Sequence, residues 1–323
     1  MTQQSFVKRR GKSWDEFELA VRGGKKSLRE RASWFPTGYR ELTQDLNTAR
    51  AHGFDPIVIE RLNSLVLEGN QVLYAGRTWS LKYAVDFALG IFPRAVRSRW
   101  RSFAAASILF FGLMLFFGFL CIRNPSMVYM IMGEDVIMNL QSMYNPDSAY
   151  YLTPRNVSSD ADMFGFYIYN NISIAFRTFA SGILAGVGSI FILSFNGIFL
   201  GAAAGHIINI GFTETFFPFI IGHSSFELIA IVLSAQAGLL LGFSFFFPRG
   251  LPRSVSLKMA GKVALPIIAG AACMLVIAAC IEAFWSSRHE FPLALRYSFG
   301  AIGWVILILY FTFAGRFSGR KQP

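Results

Sequence analysis

FPFIIGHSSFELIAIVLSAQAGLLLGF, residues 217–243, places two ionisable side chains at the start of a long apolar run. No residue from 228 to 247 carries a charge, and this run is as long as a helix that crosses the hydrocarbon core of a bilayer. His223 and Glu227 are four residues apart, so a helix would place them on one face. Ionisable side chains are costly inside a membrane, and they almost always face protein or a water-filled cavity. The stretch therefore predicts a membrane-spanning helix with a polar site near its beginning.

The composition extends this prediction to the whole chain. Of its 323 residues, 54% are hydrophobic and 15% are charged, and the mean hydropathy is +0.44. A soluble protein of this length needs more charged surface. The apolar residues are grouped into long runs, which predicts an all-α polytopic membrane protein with about six transmembrane helices. The predicted spans are 103–122, 166–193, 197–211, 225–247, 263–283 and 299–314, and the third is short enough to be bent or re-entrant.

The distribution of charge predicts how these spans are oriented. The net charge is +11, and residues 1–102 contain 18 Lys and Arg against 10 Asp and Glu. Further basic residues occupy the loop 247–262 and the tail 316–323. Positive residues collect in cytoplasmic loops, so both termini are expected in the cytoplasm. This pattern makes the lipid bilayer the expected partner of the chain and argues against nucleic acid.

The same patterns predict the domain organisation. Residues 1–102 should form a basic helical cytoplasmic domain, followed by a membrane domain over 103–315 with an external segment at 123–165. We interpret the amphipathic stretch 87–103 as a collar against acidic head groups, with a specific ligand site as the alternative. The Met- and aromatic-rich stretch 125–144 should either lie along the outer interface or pack on the bundle.

Small residues at four-residue spacing predict close contacts among the second, third and fourth spans. Helices in lipid gain no hydrophobic free energy from contact, so close backbone approach through small side chains takes its place. The predicted contact residues are Gly182, Gly186, Gly201, Gly205, Ser234, Gly238 and Gly242.

Polar residues in or beside the same spans form the candidate site, which consists of Asn170, Asn171, Arg177, Asn196, Gly197, His223 and Glu227. They either cap helix ends and bond one another, or line a path for a solute or lipid, or dock a partner. Asn196-Gly197 predicts a turn between the second and third spans. We also expect Arg177 and Glu227 to pair at similar depth, since a lone charge costs about 2.5–3.5 kcal/mol on insertion scales.

The sequence gives little reason to expect catalysis. His223 and Glu227 have the spacing of two metal ligands, but a zinc site needs at least a third ligand. His206 could approach them, yet no second motif supports a metal centre. The three cysteines lie in predicted spans without disulfide or metal spacing. We therefore expect no metal, no cofactor and no enzymatic activity.

Three stretches in this order resemble the core of the stage II sporulation protein M family of membrane proteins: YNNISIAFRTFASGILAG, FNGIFLGAAAG and GHSSFELIAIVLSAQAGLLLG. The family's paired asparagines match Asn170 and Asn171, and its Asn-Gly pair matches Asn196 and Gly197. Its His-Gly-x-x-Glu-like motif matches His223 and Glu227. The chain departs from the motif at Ser224, where the family has Gly.

The resemblance covers most of the chain and points to the longer, non-sporulating type of member. The namesake works with the cell-wall hydrolases called stage II sporulation proteins D and P, and relatives lie beside genes for MoxR-type ATPases. The resemblance therefore implies a non-enzymatic scaffold in envelope or peptidoglycan remodelling, in the bacterial plasma (inner) membrane. Hydrolases or a MoxR-type ATPase would be its partners, and a homo-oligomer fits equally. The alternative is a transporter or lipid-handling protein that uses the polar residues of spans two to four.

Overall fold

The computed structural model describes residues 2–23, 33–75, 81–152, 157–248 and 250–316. Regular structure in these ranges is helical throughout, with no strand among them, so the predicted all-α class is confirmed. The chain divides into two compact units, Met1–Ala84 and Val85–Pro323. The predicted basic tail lies outside the described residues except for Arg316.

In residues 2–23 and 33–75 the first unit forms three helices: α1 (Gln3–Arg22), α2 (Phe35–Ala51) and α3 (Pro56–Ala75). Pro56 opens α3, and the Asp55 carboxylate accepts a hydrogen bond from the Ile57 amide, 2.8 Å away, as an N-cap does. Apolar residues three and four apart give each helix one buried face. The core contains Phe6, Trp14, Phe17, Ala20, Phe35, Leu42, Leu46, Ala49, Phe54, Leu62 and Leu65.

Polar contacts fix the arrangement of these three helices. The buried Asp45 carboxylate on α2 accepts hydrogen bonds from Trp14 Nε1 and Arg10 Nε, both at 2.8 Å. Between α1 and α3, Arg22 donates two hydrogen bonds to Glu68, and these lower the pKa of the Glu68 carboxyl below its ordinary value. The unit thus has its own core and its own inter-helix bonds.

The amphipathic stretch before the first span belongs to the second unit, contrary to the predicted boundary at residue 102. After a short helix α4 (Leu81–Asp86), the stretch forms a π-helical turn at Phe87–Ile91 and then α5 (Phe92–Ser98). Phe92 and Val96 of α5 are buried in the membrane unit's core. The apolar face of this stretch therefore packs on protein, which the collar interpretation did not include.

The described residues of the second unit also form six long helices: α6 (Trp100–Arg123), α10 (Val157–Ala180), α11 (Val187–Asn209), α12 (Thr213–Phe246), α13 (Arg253–Ile281) and α14 (Leu293–Phe313). A π-helical turn, Glu282–Ser286, extends α13. Within the described residues, all but α10 are long and apolar enough to cross a membrane. Helix α10 has 24 residues, the same length as α6, but is more polar.

The external segment forms three short helices, α7 (Met127–Ile131), α8 (Glu134–Tyr144) and α9 (Ala149–Leu152). The stretch 125–144 packs on the bundle, which is one of the two predicted alternatives. Tyr144 is buried against Phe216 of α12, with ring centroids 4.8 Å apart, and its carbonyl accepts a hydrogen bond from Thr215 Oγ1. Tyr129, Met130 and Met138 remain exposed on the other side.

The predicted turn at Asn196-Gly197 is wrong, because both residues lie in the middle of α11. Asn196 Nδ2 donates to the Ile192 carbonyl 2.8 Å away, one turn back in the same helix. The chain reverses instead at residues 181–186, where Ala185 and Gly186 have positive φ angles of 55° and 82°. A glycine adopts this conformation without strain. The third span consequently has 23 residues and is not short.

The predicted outer loop 212–224 is also wrong, because α12 begins at Thr213 and runs for 34 residues. Pro218 lies inside the helix, where it removes one backbone hydrogen bond. Burial of the surrounding residues, including Phe216 and Phe219, offsets that loss. His223 therefore lies well inside a helix, not at the mouth of an apolar run.

Helix α12 is the centre of the membrane unit. In its most apolar window 61% of the residues are buried, against 17% in α6 and α14, because α12 contacts α6, α10, α11, α13 and α14. A Cβ added to Gly238 would lie 2.8 Å from the Phe179 carbonyl oxygen, and one added to Gly182 would overlap the Gly238 backbone. Backbone contact between the reversal at 181–186 and α12 therefore agrees with the predicted small-residue packing, and we call this contact the glycine clamp.

The other small residues divide between two different roles. A Cβ on Gly197 or Gly205 would lie 2.7 or 2.6 Å from a carbonyl oxygen of α6, and one on Gly201 would overlap Met114 of that helix. These glycines thus join α11 to the first span, so the expectation that Gly201 and Gly205 contact the second and fourth spans is wrong. Gly186 and Gly242 belong to the clamp, whereas Ser234 is buried and donates to the Ala230 carbonyl of its own helix.

The glycine clamp predicts a sharp difference between two single-methyl substitutions. Gly238→Ala should lower the free energy of unfolding by about 1–3 kcal/mol, the usual cost of overpacking. Gly112→Ala in α6 is the matched control, because nothing lies within 4 Å of its added Cβ. Thermal unfolding of both purified variants in one detergent measures the difference. Equal melting temperatures would show that the clamp is not tight.

The orientation of the helices predicts opposite accessibility for two engineered cysteines. In a background lacking Cys121, Cys273 and Cys280, Asp147→Cys should react with an impermeant maleimide in cells whose outer barrier is permeabilised. Ser254→Cys, at the start of α13, should react only after lysis. Three long helices, α10, α11 and α12, lie between the two positions, so labelling of both from the same side would contradict an odd number of crossings between them.

Candidate functional site

The polar site predicted from residues 217–243 lies between α12 and the end of α13. His223 is buried, 4% exposed, and its ring meets the Phe219 ring nearly edge-on at 5.4 Å. Its Nδ1 lies 3.1 Å from the Ser286 hydroxyl oxygen, within hydrogen-bond distance. This contact fixes the plane of the imidazole and directs Nε2 towards Glu227.

Glu227 approaches His223 on the same face of α12. Its Oε2 lies 3.7 Å from His223 Nε2, which is close enough for an ion pair but too long for a hydrogen bond. Glu282 comes to the same place from the π-helical turn of α13. One ligand atom from each of these three side chains lies within 4.8 Å of the other two. We call this group the His-Glu-Glu cluster.

The π-helical turn is what brings α13 into the cluster. A turn of this kind inserts an extra residue per turn, and π-turns occur frequently at functional sites. It places Glu282 and Ser286, both buried, against α12. Gly222 makes room for this approach, since a Cβ there would lie 2.8 Å from Ser286 Oγ. A larger residue at position 222 would displace the serine that holds His223.

Helix α14 closes the site with a buried cation. Arg296 is 3% exposed, and one of its terminal nitrogens donates to the Ser286 carbonyl oxygen at 2.8 Å. The α12–α14 contact beside it is close, because a Cβ on Gly300 would lie 2.5 Å from the Ile221 carbonyl oxygen. Ser286 therefore contacts His223 through its hydroxyl and Arg296 through its carbonyl, and it links three helices at one point.

The expected ion pair between Arg177 and Glu227 is wrong. Arg177 is exposed, and Glu227 finds its ion partner in His223. The two residues lie at different depths, because Thr178, next to Arg177, touches Gly238, eleven residues after Glu227. That separation corresponds to about 16 Å along a helix. The similar depth was expected because the predicted second span runs on to residue 193, whereas α10 already ends at Ala180.

The remaining polar residues of the predicted site are bonded locally and are not gathered together. Asn170 Nδ2 donates to Asn171 Oδ1 at 3.1 Å, and Asn171 itself is buried. Asn196 bonds its own helix, and Gly197 is a contact point on α6. His206 does not approach His223, because its Nε2 lies 3.0 Å from Gln141 Nε2 on α8. Of the seven predicted residues, only His223 and Glu227 share one site.

Sequence reasoning missed Glu282, Ser286 and Arg296. A signal for the first was present, since Glu282 is a carboxylate inside the predicted fifth span, 263–283, and an acid in a span indicates function. Ser286 and Arg296 fell in a predicted loop, and no spacing rule connects them to α12. Their proximity depends on how α13 and α14 pack.

The cluster combines the donor types that bind a divalent cation or exchange protons. An imidazole nitrogen and two carboxylates suit zinc and related metals. The third ligand that the sequence analysis lacked is thus supplied by Glu282.

Comparison with known proteins places these helices in a family. The family model described as "Stage II sporulation protein M" matches residues 107–287, and a model described as a domain of unknown function (DUF8413) matches residues 4–75. No curated protein and no solved structure matches the chain. The first match covers more than half of the chain and includes His223, Glu227 and Glu282. The chain therefore belongs to the stage II sporulation protein M family of integral membrane proteins.

Proposed function

We propose that the protein is a non-enzymatic membrane anchor that positions partner proteins during envelope or peptidoglycan remodelling. It would act in the bacterial plasma (inner) membrane with both termini in the cytoplasm. Family membership supports an integral membrane protein. The more specific role rests on analogy with the family and on the packing of α12.

The glycine clamp is the observation that carries this proposal. Transporters alternate by moving one group of helices against another around a central site. Here α12 is pressed against the reversal at 181–186 through backbone atoms, and α11 is pressed against α6 in the same manner. Close-packed contacts of this kind resist sliding. A rigid membrane unit suits a protein that holds other proteins in place.

The first unit supplies a second feature of an anchor: it is a separately folded domain, which we call the head. It has its own core and exposes the large apolar side chains of Leu19, Ile57 and Leu67. Exposed apolar residues of this size suit protein contacts. By family analogy the head would recruit a cytoplasmic partner such as a MoxR-type ATPase. The exposed face of α7 and α8 would meet cell-wall hydrolases on the outer side.

The His-Glu-Glu cluster favours a second candidate function, a transporter or lipid-handling protein. Buried ionisable residues in spans often bind a substrate or carry protons. Isolation of the full-length protein from native membranes in mild detergent, followed by mass spectrometry, separates the two candidates. Stoichiometric recovery of a hydrolase or an ATPase supports the anchor. A homo-oligomer that retains a lipid or solute, without either protein, supports transport.

The anchor proposal predicts that the first unit and the external helices bind different partners. Deletion of residues 1–80 should leave a membrane-inserted, monodisperse bundle, because the cores around α12 contain no residue of the deleted segment. The same deletion should abolish recovery of the cytoplasmic partner and leave that of external partners unchanged. Quantitative mass spectrometry of the isolated complexes measures both.

A reciprocal variant provides the matched control. Met130→Asp with Met138→Asp changes two exposed residues of the external helices and no core residue. It should reduce external partners and keep the cytoplasmic one. Full function of the truncated protein in a deletion strain would show that the head is not a docking site.

A further inference from the structure

We propose that the His-Glu-Glu cluster binds one divalent transition-metal ion. His223, Glu227 and Glu282 would supply the three protein ligands, with His223 using Nε2. This inference goes beyond the anchor function and does not depend on it. It concerns residues that the sequence analysis expected to bind no metal.

The geometry of the donor atoms carries the first part of the argument. Zinc bonds to nitrogen and oxygen are about 2.0–2.2 Å long, so neighbouring ligand atoms in a tetrahedral site are about 3.4 Å apart. The His223 Nε2 to Glu227 Oε2 distance is 3.7 Å, and all three ligand atoms lie within 4.8 Å of one another. Small rotations of the two flexible glutamate side chains would close the remaining gap. No backbone movement is needed.

The orientation of His223 is an independent second observation. A metal-bound histidine usually engages a hydrogen-bond partner through its other ring nitrogen, which fixes the tautomer and the ring. Ser286 Oγ is placed to do this at Nδ1, 3.1 Å away. In the described part of the chain, Nε2 makes no hydrogen bond, although the side chain is only 6% exposed and faces the cluster. This ring nitrogen is therefore available to bind a metal ion.

The state of Glu227 agrees with that of His223. Its side chain is 20% exposed, yet it accepts no hydrogen bond from any residue that the structure describes, and its ion contact is the long one to His223. This carboxylate is therefore also available to bind a metal ion. A second carboxylate, Glu282, increases the negative potential here. Negative potential of this kind suits a divalent cation.

The donor set indicates the class of metal. One imidazole and two carboxylates suit zinc, manganese or iron in the divalent state. Calcium and magnesium are less suited, since they prefer oxygen ligands alone. Three protein ligands leave at least one coordination position open.

A metal at this place would complete the rigidity of the membrane unit. The glycine clamp fixes the Gly238 end of α12, about 16 Å along the helix from Glu227. The cluster joins the other half of α12 to the end of α13. The metal would therefore hold α12 to α13 through its ligands, as the glycine clamp holds α12 to the reversal at 181–186 through backbone contact.

The test is metal loading of the full-length protein, purified in detergent with an affinity tag free of histidine. The protein is stripped with EDTA, loaded with ZnCl₂ or MnCl₂, separated from free metal, and measured by mass spectrometry of the elements. About one ion per chain is expected for zinc, for manganese or for both. His223→Gln, Glu227→Gln and Glu282→Gln should each weaken binding at least about 10-fold.

Two variants are matched controls. His206→Gln removes a buried histidine, and Glu290→Gln an exposed carboxylate near the end of α13, and both should bind metal as the unaltered protein does. Should a cluster variant not yield monodisperse protein, Glu227→Asp and Glu282→Asp, which keep the charge but shorten the reach, take its place and should weaken binding.

Thermal unfolding gives a readout independent of metal content. EDTA should lower the melting temperature of the unaltered protein and of both controls by several degrees, and it should leave the cluster variants unchanged. Less than about a tenth of an equivalent of either metal, or equal binding by Glu227→Gln and Glu282→Gln, would overturn the proposal. A third outcome would also overturn it: the unaltered protein takes up no metal after EDTA treatment, and Glu227→Gln melts at a higher temperature than that protein. This pattern indicates that two carboxylates share a proton.

Discussion

Close backbone contact at Gly238 is the constraint on which the membrane unit depends. In lipid, helices gain nothing from hiding apolar surface, so they associate where small residues let their backbones approach. Gly238 and Gly182 meet in this manner, and the glycines of α11 meet α6. These contacts leave α12 surrounded by five helices. A helix in that position can carry polar side chains that lipid would not tolerate.

The polar half of α12 is buried by these neighbouring helices. His223 and Glu227 point towards α13, where a π-helical turn presents Glu282 and Ser286. Buried groups of this kind reduce stability unless partners satisfy them. Ser286 connects His223 to Arg296, so three helices share one set of polar contacts. The site and the packing of the bundle thus depend on each other.

Local sequence rules failed at particular residues, and each failure has a physical cause. Asn196-Gly197 has the composition of a turn, but the Asn side chain bonds its own helix and Gly197 allows contact with α6. Pro218 has the composition of a loop, yet burial of its neighbours outweighs one lost hydrogen bond. The actual reversal at Ala185-Gly186 gave only a weak local signal. In each case tertiary contacts overruled a local preference.

The sequence by itself determined the helical membrane class, the small-residue contact between the second and fourth spans, and the placement of His223 and Glu227 on one helical face. Those features follow from hydropathy, side-chain size and the four-residue period, all of which are local. Only the tertiary structure decided that Arg177 stands apart, that α11 packs on α6, and that Glu282 and Arg296 join the site. These facts depend on where helices end and how deeply they pack, which is set by contacts between residues distant in the chain.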